Sequence, residues 1–259
     1  MPLRPFALAL VALVALALAA SARAEFVAFS LTTPRGATVS VLADWPDAER
    51  FGPGPYPTLV LASGAGYHQR MPLQAAIAET LSAAGIGVLR FDWAYFSAKG
   101  QPSADLGPER EDLQTVLAHA RGLKHVDAER VSVAGKSLGS VVAWQVLRAD
   151  PGVHRAVMLT PLCARSTEGI VSSVAAERYP GADTPDPRPV LWVLGDRDPA
   201  CEPALLRQFL QSRPQDTVLA LEGDHALERR DLPGPEVQAW RQRVHGQAVQ
   251  GLLSWLLSP

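Results

Sequence analysis

The chain is poor in cysteine, nearly balanced in charge and, after its first two dozen residues, free of long apolar runs. Each shortage removes a class of protein. Two cysteines occur in 259 residues, Cys163 and Cys201, and neither sits in a metal-like C-x-x-C spacing. Lys and Arg number 24 against 26 Asp and Glu, a net charge of −2 with a sequence pI near 6.3. Such a chain lacks the basic field that tracks a phosphate backbone, which sets nucleic acid aside as a partner and leaves a small molecule. No internal repeat or low-complexity tract follows residue 24, so a solenoid is excluded as well. With 47% hydrophobic residues, a chain of this length buries one large core, and a single domain is the default.

What is present begins with an address. Arg4 supplies positive charge, residues 6–20 are uninterruptedly apolar, and Ala22-Arg23-Ala24 has the small-x-small form of a signal-peptidase site. A membrane anchor is the competing reading, but a spanning helix needs about 20 apolar residues and this run is shorter. Residues 1–24 therefore read as a signal peptide cleaved after Ala24. A domain of residues 25–259 would remain, periplasmic or secreted, with no membrane segment left in it. In an oxidising compartment Cys163 and Cys201 are able to pair, contributing about 3 to 4 kcal/mol on the chain-entropy view. Two unpaired buried thiols are the alternative.

Residues 25–33 and 37–45 read as strands joined by the turn Pro34-Arg35-Gly36, a hairpin. Strands at 58–63, 86–91, 130–134, 156–160, 190–194 and 217–221 then alternate with helices at 72–84, 109–121, 138–149, 203–211 and 235–257. This alternation implies a mostly parallel sheet with helices on its faces. Residues 163–188 break the rhythm with Pro180, Gly181, Pro185, Pro187 and a short helical patch at 170–176. A connection of that length inside a domain is usually functional, and it reads as a small cap over the site.

The strand at 130–134 runs through Gly135-Lys136-Ser137-Leu138-Gly139 directly into a helix. In a nucleophile elbow the serine occupies a strained turn, and its neighbours two before and two after must be tiny so that strand and helix can approach. Gly135 and Gly139 meet that demand. The Leu138 N–H then lies at a helix start, aimed at a developing oxyanion. Two phosphate-binding readings fail. A Walker A loop needs glycine where Arg130 stands, and a dinucleotide fingerprint beginning at Gly64-Ala65-Gly66 needs glycine where Gln69 stands.

A serine hydroxyl needs a base, and the base an acid, in the chain order Ser, Asp or Glu, His. The strand at 190–194 ends in Gly195-Asp196-Arg197-Asp198-Pro199. Asp198 is favoured over Asp196, which lies at the turn where Asp commonly bonds local backbone. The strand at 217–221 leads to Glu222-Gly223-Asp224-His225, placing His225 after the last strand as the base, with Asp224 read as a loop residue. His68, His119, His125, His154 and His245 read as surface or satisfied core residues. The second oxyanion donor is assigned to the Ala65 N–H, in the small-residue loop after the strand at 58–63; a plain glycine turn is the alternative. Trp93, Tyr95 and Phe96 either line an acyl pocket or pack in the core.

These residues together resemble the α/β-hydrolase superfamily, in particular its small dienelactone-hydrolase-like members and the branch named after a testis-expressed protein. The resemblance runs through Ala62-Ser63-Gly64-Ala65-Gly66, Val88-Leu89-Arg90-Phe91, the Ser137 elbow, Gly195-Asp196-Arg197-Asp198-Pro199 and Gly223-Asp224-His225-Ala226-Leu227. It implies an α/β-hydrolase fold, with a mostly parallel central sheet of about eight strands flanked by helices. It also implies a triad of Ser137, Asp198 and His225, with no metal and no cofactor. Members of this branch usually carry histidine where Ser63 stands, and Lys136 is uncommon beside the nucleophile. That lysine either places a cation near the site, favouring an acidic substrate, or pairs with a carboxylate. The fold would also set Cys163 and Cys201 at one sheet edge, where a disulfide would fasten the cap to the acid loop. The implied activity is cleavage of a carboxylic ester or related acyl bond in a small-molecule substrate. A silent fold relative that only binds, or a peptidase or acyltransferase using the same triad, is the alternative.

Overall fold

Parallel strands need crossovers, and helices supply them here on both faces of one sheet. The computed structural model describes residues 25–229 and 231–258, so the signal peptide expected at 1–24 lies outside the described residues. In chain order the elements are β1 (Glu25–Thr32), β2 (Thr38–Trp45), α1 (Ala48–Phe51), β3 (Tyr56–Ala62), α2 (Pro72–Ala83), β4 (Gly87–Asp92) and α3 (Ala94–Ser97). They continue as α4 (Gly107–Gly122), β5 (Val126–Lys136), α5 (Leu138–Ala149), β6 (Ala156–Leu159), β7 (Ala164–Thr167), β8 (Ile170–Ser173) and α6 (Ala175–Arg178). The last four are β9 (Val190–Gly195), α7 (Pro203–Phe209), β10 (Thr217–Leu221) and α8 (Gly234–Leu257).

Eight strands lie in the order β1-β2-β4-β3-β5-β6-β9-β10. β2 pairs antiparallel with both β1 and β4, and the remaining pairs from β4 to β10 are parallel. The central strands are buried on both faces, which is why β3 and β9 read as continuous apolar runs instead of alternating. On one face α4 and α5 cover the sheet through Leu113, Val116, Leu117, Val142 and Trp144. On the other, α2 and α8 do so through Leu73, Ile77, Leu81, Val244, Val249 and Leu252.

From β3 the chain moves to one side, to β4, and then crosses back to β5 and onward to the other edge. The strand order therefore reverses between β3 and β5, and in open α/β sheets the crevice at such a switch point, at the carboxyl ends of the strands, is where ligands bind.

One element differs from expectation. Residues Ile170–Ser173, read as part of a helical patch, form the second strand of a small hairpin with β7, and the helix is confined to Ala175–Arg178. Glu168 and Gly169 both have positive φ, 53° and 80°, the two-residue turn whose twist suits a hairpin. Ile170 and Val171 are exposed, so no core face selects the helical period, and β-branched residues favour the strand. β5 also starts earlier than its apolar run, at Val126, which is buried and pairs with Tyr56 ahead of a shift in register; the pairing resumes at Val131, and residues 128–130 between them are exposed.

Candidate active site

Ser137 sits between β5 and α5 at φ 53°, ψ −117°, a conformation that costs an L-residue about 1 to 3 kcal/mol. The flanking glycines make the turn possible. A Cβ on Gly135 would lie 2.0 Å from the Gly139 carbonyl oxygen, and one on Gly139 would lie 2.6 Å from the Ser63 carbonyl oxygen. The turn is held by the Ser137 N–H, which donates to the Leu159 carbonyl at 2.8 Å, and by Ser140 Oγ, which donates to the Ser137 carbonyl at 2.6 Å.

His225 arrives from the loop after β10 and meets that hydroxyl: its Nε2 is 2.9 Å from Ser137 Oγ, across 88 residues of chain. Its Nδ1 is 2.8 Å from Asp198 Oδ2. A carboxylate only accepts, so Nδ1 carries the proton and Nε2 is left to accept from the serine. The Asp198 side chain is fully buried, and its other oxygen accepts from the Ala200 N–H at 2.8 Å.

Asp196, the rival acid, is elsewhere. Its Oδ1 accepts from the Gly223 N–H at 3.0 Å, tying the acid loop to the base loop, and its side chain is half exposed. The two loops touch backbone to backbone, since a Cβ on Gly195 would lie 2.3 Å from the Gly223 carbonyl oxygen. Asp224 builds the base turn from within, Oδ1 accepting from the Ala226 N–H at 2.8 Å and the Glu228 N–H at 3.1 Å.

The loop after β3 lies against Ser137. A Cβ on Gly64 would come within 3.3 Å of Ser137 Cβ, so the Ala65 amide follows directly on the residue that abuts the serine. The Leu138 N–H is in the first turn of α5, where amides have no intrahelical acceptor. Ser63 supports this loop: its Oγ accepts from Gln74 Nε2 at 3.1 Å and donates to the Phe91 carbonyl at 3.2 Å. Trp93 is fully buried and donates from Nε1 to the Ser63 carbonyl at 2.8 Å, a core residue that also bolts the loop down. Tyr95 and Phe96 are half-buried against the same core. His68 turns to its own loop, Nδ1 accepting from the Arg70 N–H.

Cys163 and Cys201 are joined by a disulfide, with their Cα atoms 4.6 Å apart. The Cys163 and Ala164 N–H groups both donate to the Ala200 carbonyl at 2.8 Å, so the base of the hairpin is closed onto the acid loop by backbone as well.

One further residue went unsuspected, and another, Lys136, was singled out without its partners being foreseen. Tyr179, in the proline-rich stretch, is wholly buried, and burial pushes its hydroxyl pKa up. It accepts from the Leu162 N–H at 2.7 Å and lies 2.9 Å from Ser140 Oγ, linking the hairpin region to the elbow. No periodicity or spacing marks it. Lys136 is only 2% exposed and so does not present its charge to solvent; its Nζ donates to Thr160 Oγ1 and to the His225 carbonyl, each at 3.1 Å. Among the described residues no group of three or more His, Cys, Asp or Glu side chains is placed to hold a metal ion.

Residues 55–251 match the alpha/beta hydrolase domain family. The quorum-quenching protein AidA of Acinetobacter baumannii is 35% identical over 122 residues, which is 46% of this chain and 38% of that protein's own length. Among solved structures, the lidless α/β serine hydrolase XC6422 of Xanthomonas campestris superposes with a TM-score of 0.64 at 19% identity, over 91% of this chain and 97% of that one. The esterase Pf2001 of Pyrococcus furiosus gives 0.63 at 14% identity, over 90% and 93%. At such identities the two structures speak for the fold alone, whereas the family match spans most of the chain. The protein is thus a member of the alpha/beta hydrolase domain family.

Proposed function

We propose that this protein is a serine hydrolase that cleaves a carboxylic ester or related acyl bond through an acyl-serine intermediate. The observation that carries the reading is the position of His225, within 2.9 Å of Ser137 Oγ and 2.8 Å of Asp198. Ser137 Oγ attacks the acyl carbon while its proton passes to His225 Nε2. The carbonyl electron pair moves onto oxygen, which the Leu138 and Ala65 amides receive. Each such donor is worth about 2.7 to 4 kcal/mol of barrier. As the tetrahedral species collapses, the bond to the leaving oxygen breaks and His225 returns its proton to that oxygen. Water then gives a proton to His225 and attacks the acyl-serine, releasing the acid and restoring the hydroxyl. Asp198 keeps the imidazole in the required tautomer and stabilises its protonated form throughout. Apart from that water, the groups that act in each step are side chains and amides of the chain, and the proton taken from water returns from His225 to Ser137 Oγ as the acid leaves.

The export reading is part of the proposal: a leader at 1–24 and a disulfide between Cys163 and Cys201 suit an oxidising compartment. Fractionation with N-terminal sequencing tests it, and an uncleaved leader on protein in the cytoplasm refutes it.

The enzymatic reading is tested on the protein starting at Glu25 with an active-site-directed fluorophosphonate and acyl esters of increasing chain length. Quorum-sensing signals that carry an acyl bond belong in the panel because AidA is a quorum-quenching protein. The expected result is a label on Ser137, ester turnover, and loss of both in Ser137→Ala with its fold intact. A wild-type protein that neither labels nor turns over any acyl compound would be a silent binding relative.

A further inference from the structure

The imidazole of His225 is 30% exposed in its side chain and hydrogen-bonds both of its triad partners. Its distance to Ser137 depends on where the backbone of its loop is fixed. Two consecutive carbonyls of that loop are gripped by buried side chains from different elements. The His225 carbonyl accepts from Lys136 Nζ at 3.1 Å, and the Ala226 carbonyl accepts from His245 Nε2 at 3.3 Å. A carbonyl only accepts, so His245 carries its proton on Nε2; burial in α8 holds its pKa below the usual value and keeps it neutral. Lys136 is the unusual member. It is the residue immediately before the nucleophile, so one position joins the elbow to the base.

A buried ammonium costs several kcal/mol unless its donors are used, and an apolar side chain would fill the end of β5 without that cost. The donors are used on the catalytic architecture: on the His225 carbonyl, on Thr160 Oγ1 just after β6, and with the charge 4.5 Å above the Tyr67 ring in the loop that follows β3. The loops after β3, β6 and β10 thus meet on one cation that is covalently next to Ser137.

We propose that Lys136 is a positioning residue, holding His225 in reach of Ser137 by fixing the carbonyl of His225 itself. This rests on the serine-hydrolase reading above. Misplacing a reacting group by about 1 Å costs on the order of a hundredfold in rate. Lys136→Met keeps the stem and removes the donors; it should lower kcat by roughly ten- to a hundredfold with KM little changed, and slow fluorophosphonate labelling in parallel. Lys136→Arg, which keeps charge and donors, should recover part of the loss. If Lys136→Met does not unfold cooperatively, Lys136→Gln and Lys136→Arg carry the comparison, with kcat ordered wild type, Arg, Gln.

A measurement without variants is the ¹⁵N-edited ammonium spectrum of the wild type. Lys136 should give a slowly exchanging signal that shifts when Ser137 is labelled, and a rapidly exchanging or unmoved signal overturns the proposal. So does a folded Met or Gln variant with wild-type kcat, or one whose KM alone rises. Wild-type protein that fails to label defeats the hydrolase reading instead, which keeps the two failures apart.

Discussion

Reducing the Cys163–Cys201 bond should destabilise the protein by about 4 kcal/mol while leaving the native site largely intact. The bond spans 38 residues, and closing a loop of that size removes about 13 cal/mol/K of entropy from the unfolded chain, or about 4 kcal/mol at 25 °C. In a domain of this size each kcal/mol moves the melting temperature by roughly 2 to 4 °C, so the melt should fall by roughly 8 to 16 °C. The native junction loses less, because the Cys163 and Ala164 amides still bond the Ala200 carbonyl and both cysteines stay buried. The assay is urea and thermal unfolding with and without reductant, followed by tryptophan fluorescence. Trp144 and Trp192, 5.9 Å apart, report on this region. Thiols are counted in denaturant at the end of each run. If two thiols are titrated and the midpoints coincide, the segment between the cysteines does not unfold with the rest, and the loop-entropy reasoning is wrong.

Asp198→Asn should lower kcat by about 10⁴-fold, because the amide no longer enforces the tautomer that leaves Nε2 free. Asp196→Asn keeps an oxygen for the Gly223 N–H and should change kcat only a few-fold; equal losses in the two variants would refute the assignment of the acid. Gly135→Ala drives a Cβ to 2.0 Å from the Gly139 carbonyl and should cost about 4 kcal/mol or more, read as loss of soluble, cooperatively folding protein. The same change at Gly246, in open space inside α8, should stabilise by about 0.5 to 1 kcal/mol, and a melt that moves the other way would show the helix is not as described. Asp186 is held at about 2 by hydrogen bonds and charge from Arg188, with Arg148 adding to it. Its folded pKa lies below the ordinary 3.8, so its contribution is present above about pH 4 and drains away as pH falls toward 2. Asp186→Asn should flatten that limb of the stability curve in acid titrations, and an unchanged limb would contradict the shift.

The sheet was legible because its signals are local. Alternating apolar strands and helices dictate parallel pairing, and Gly135 and Gly139 announce the elbow because steric demand acts within five residues. The hairpin at 164–173 was not legible: a short apolar patch around Ile170 fits either period, and exposure, a tertiary property, decides between them. The two aspartates after β9 were separable only by the weak rule that one sits in the turn, and the structure turns that rule into two different bonds.

What the sequence determined alone was the order of events along the chain: strand, glycine-flanked serine, an acidic loop after β9, and a histidine after β10. Each follows from short-range sterics and strand alternation. What only the tertiary structure decided was which atoms meet across 27 and 88 residues, and that Lys136 reaches the carbonyl of His225 while Tyr179 reaches Ser140. Those contacts depend on side-chain direction at loop ends, where no periodicity constrains the chain and only packing against distant segments selects one arrangement.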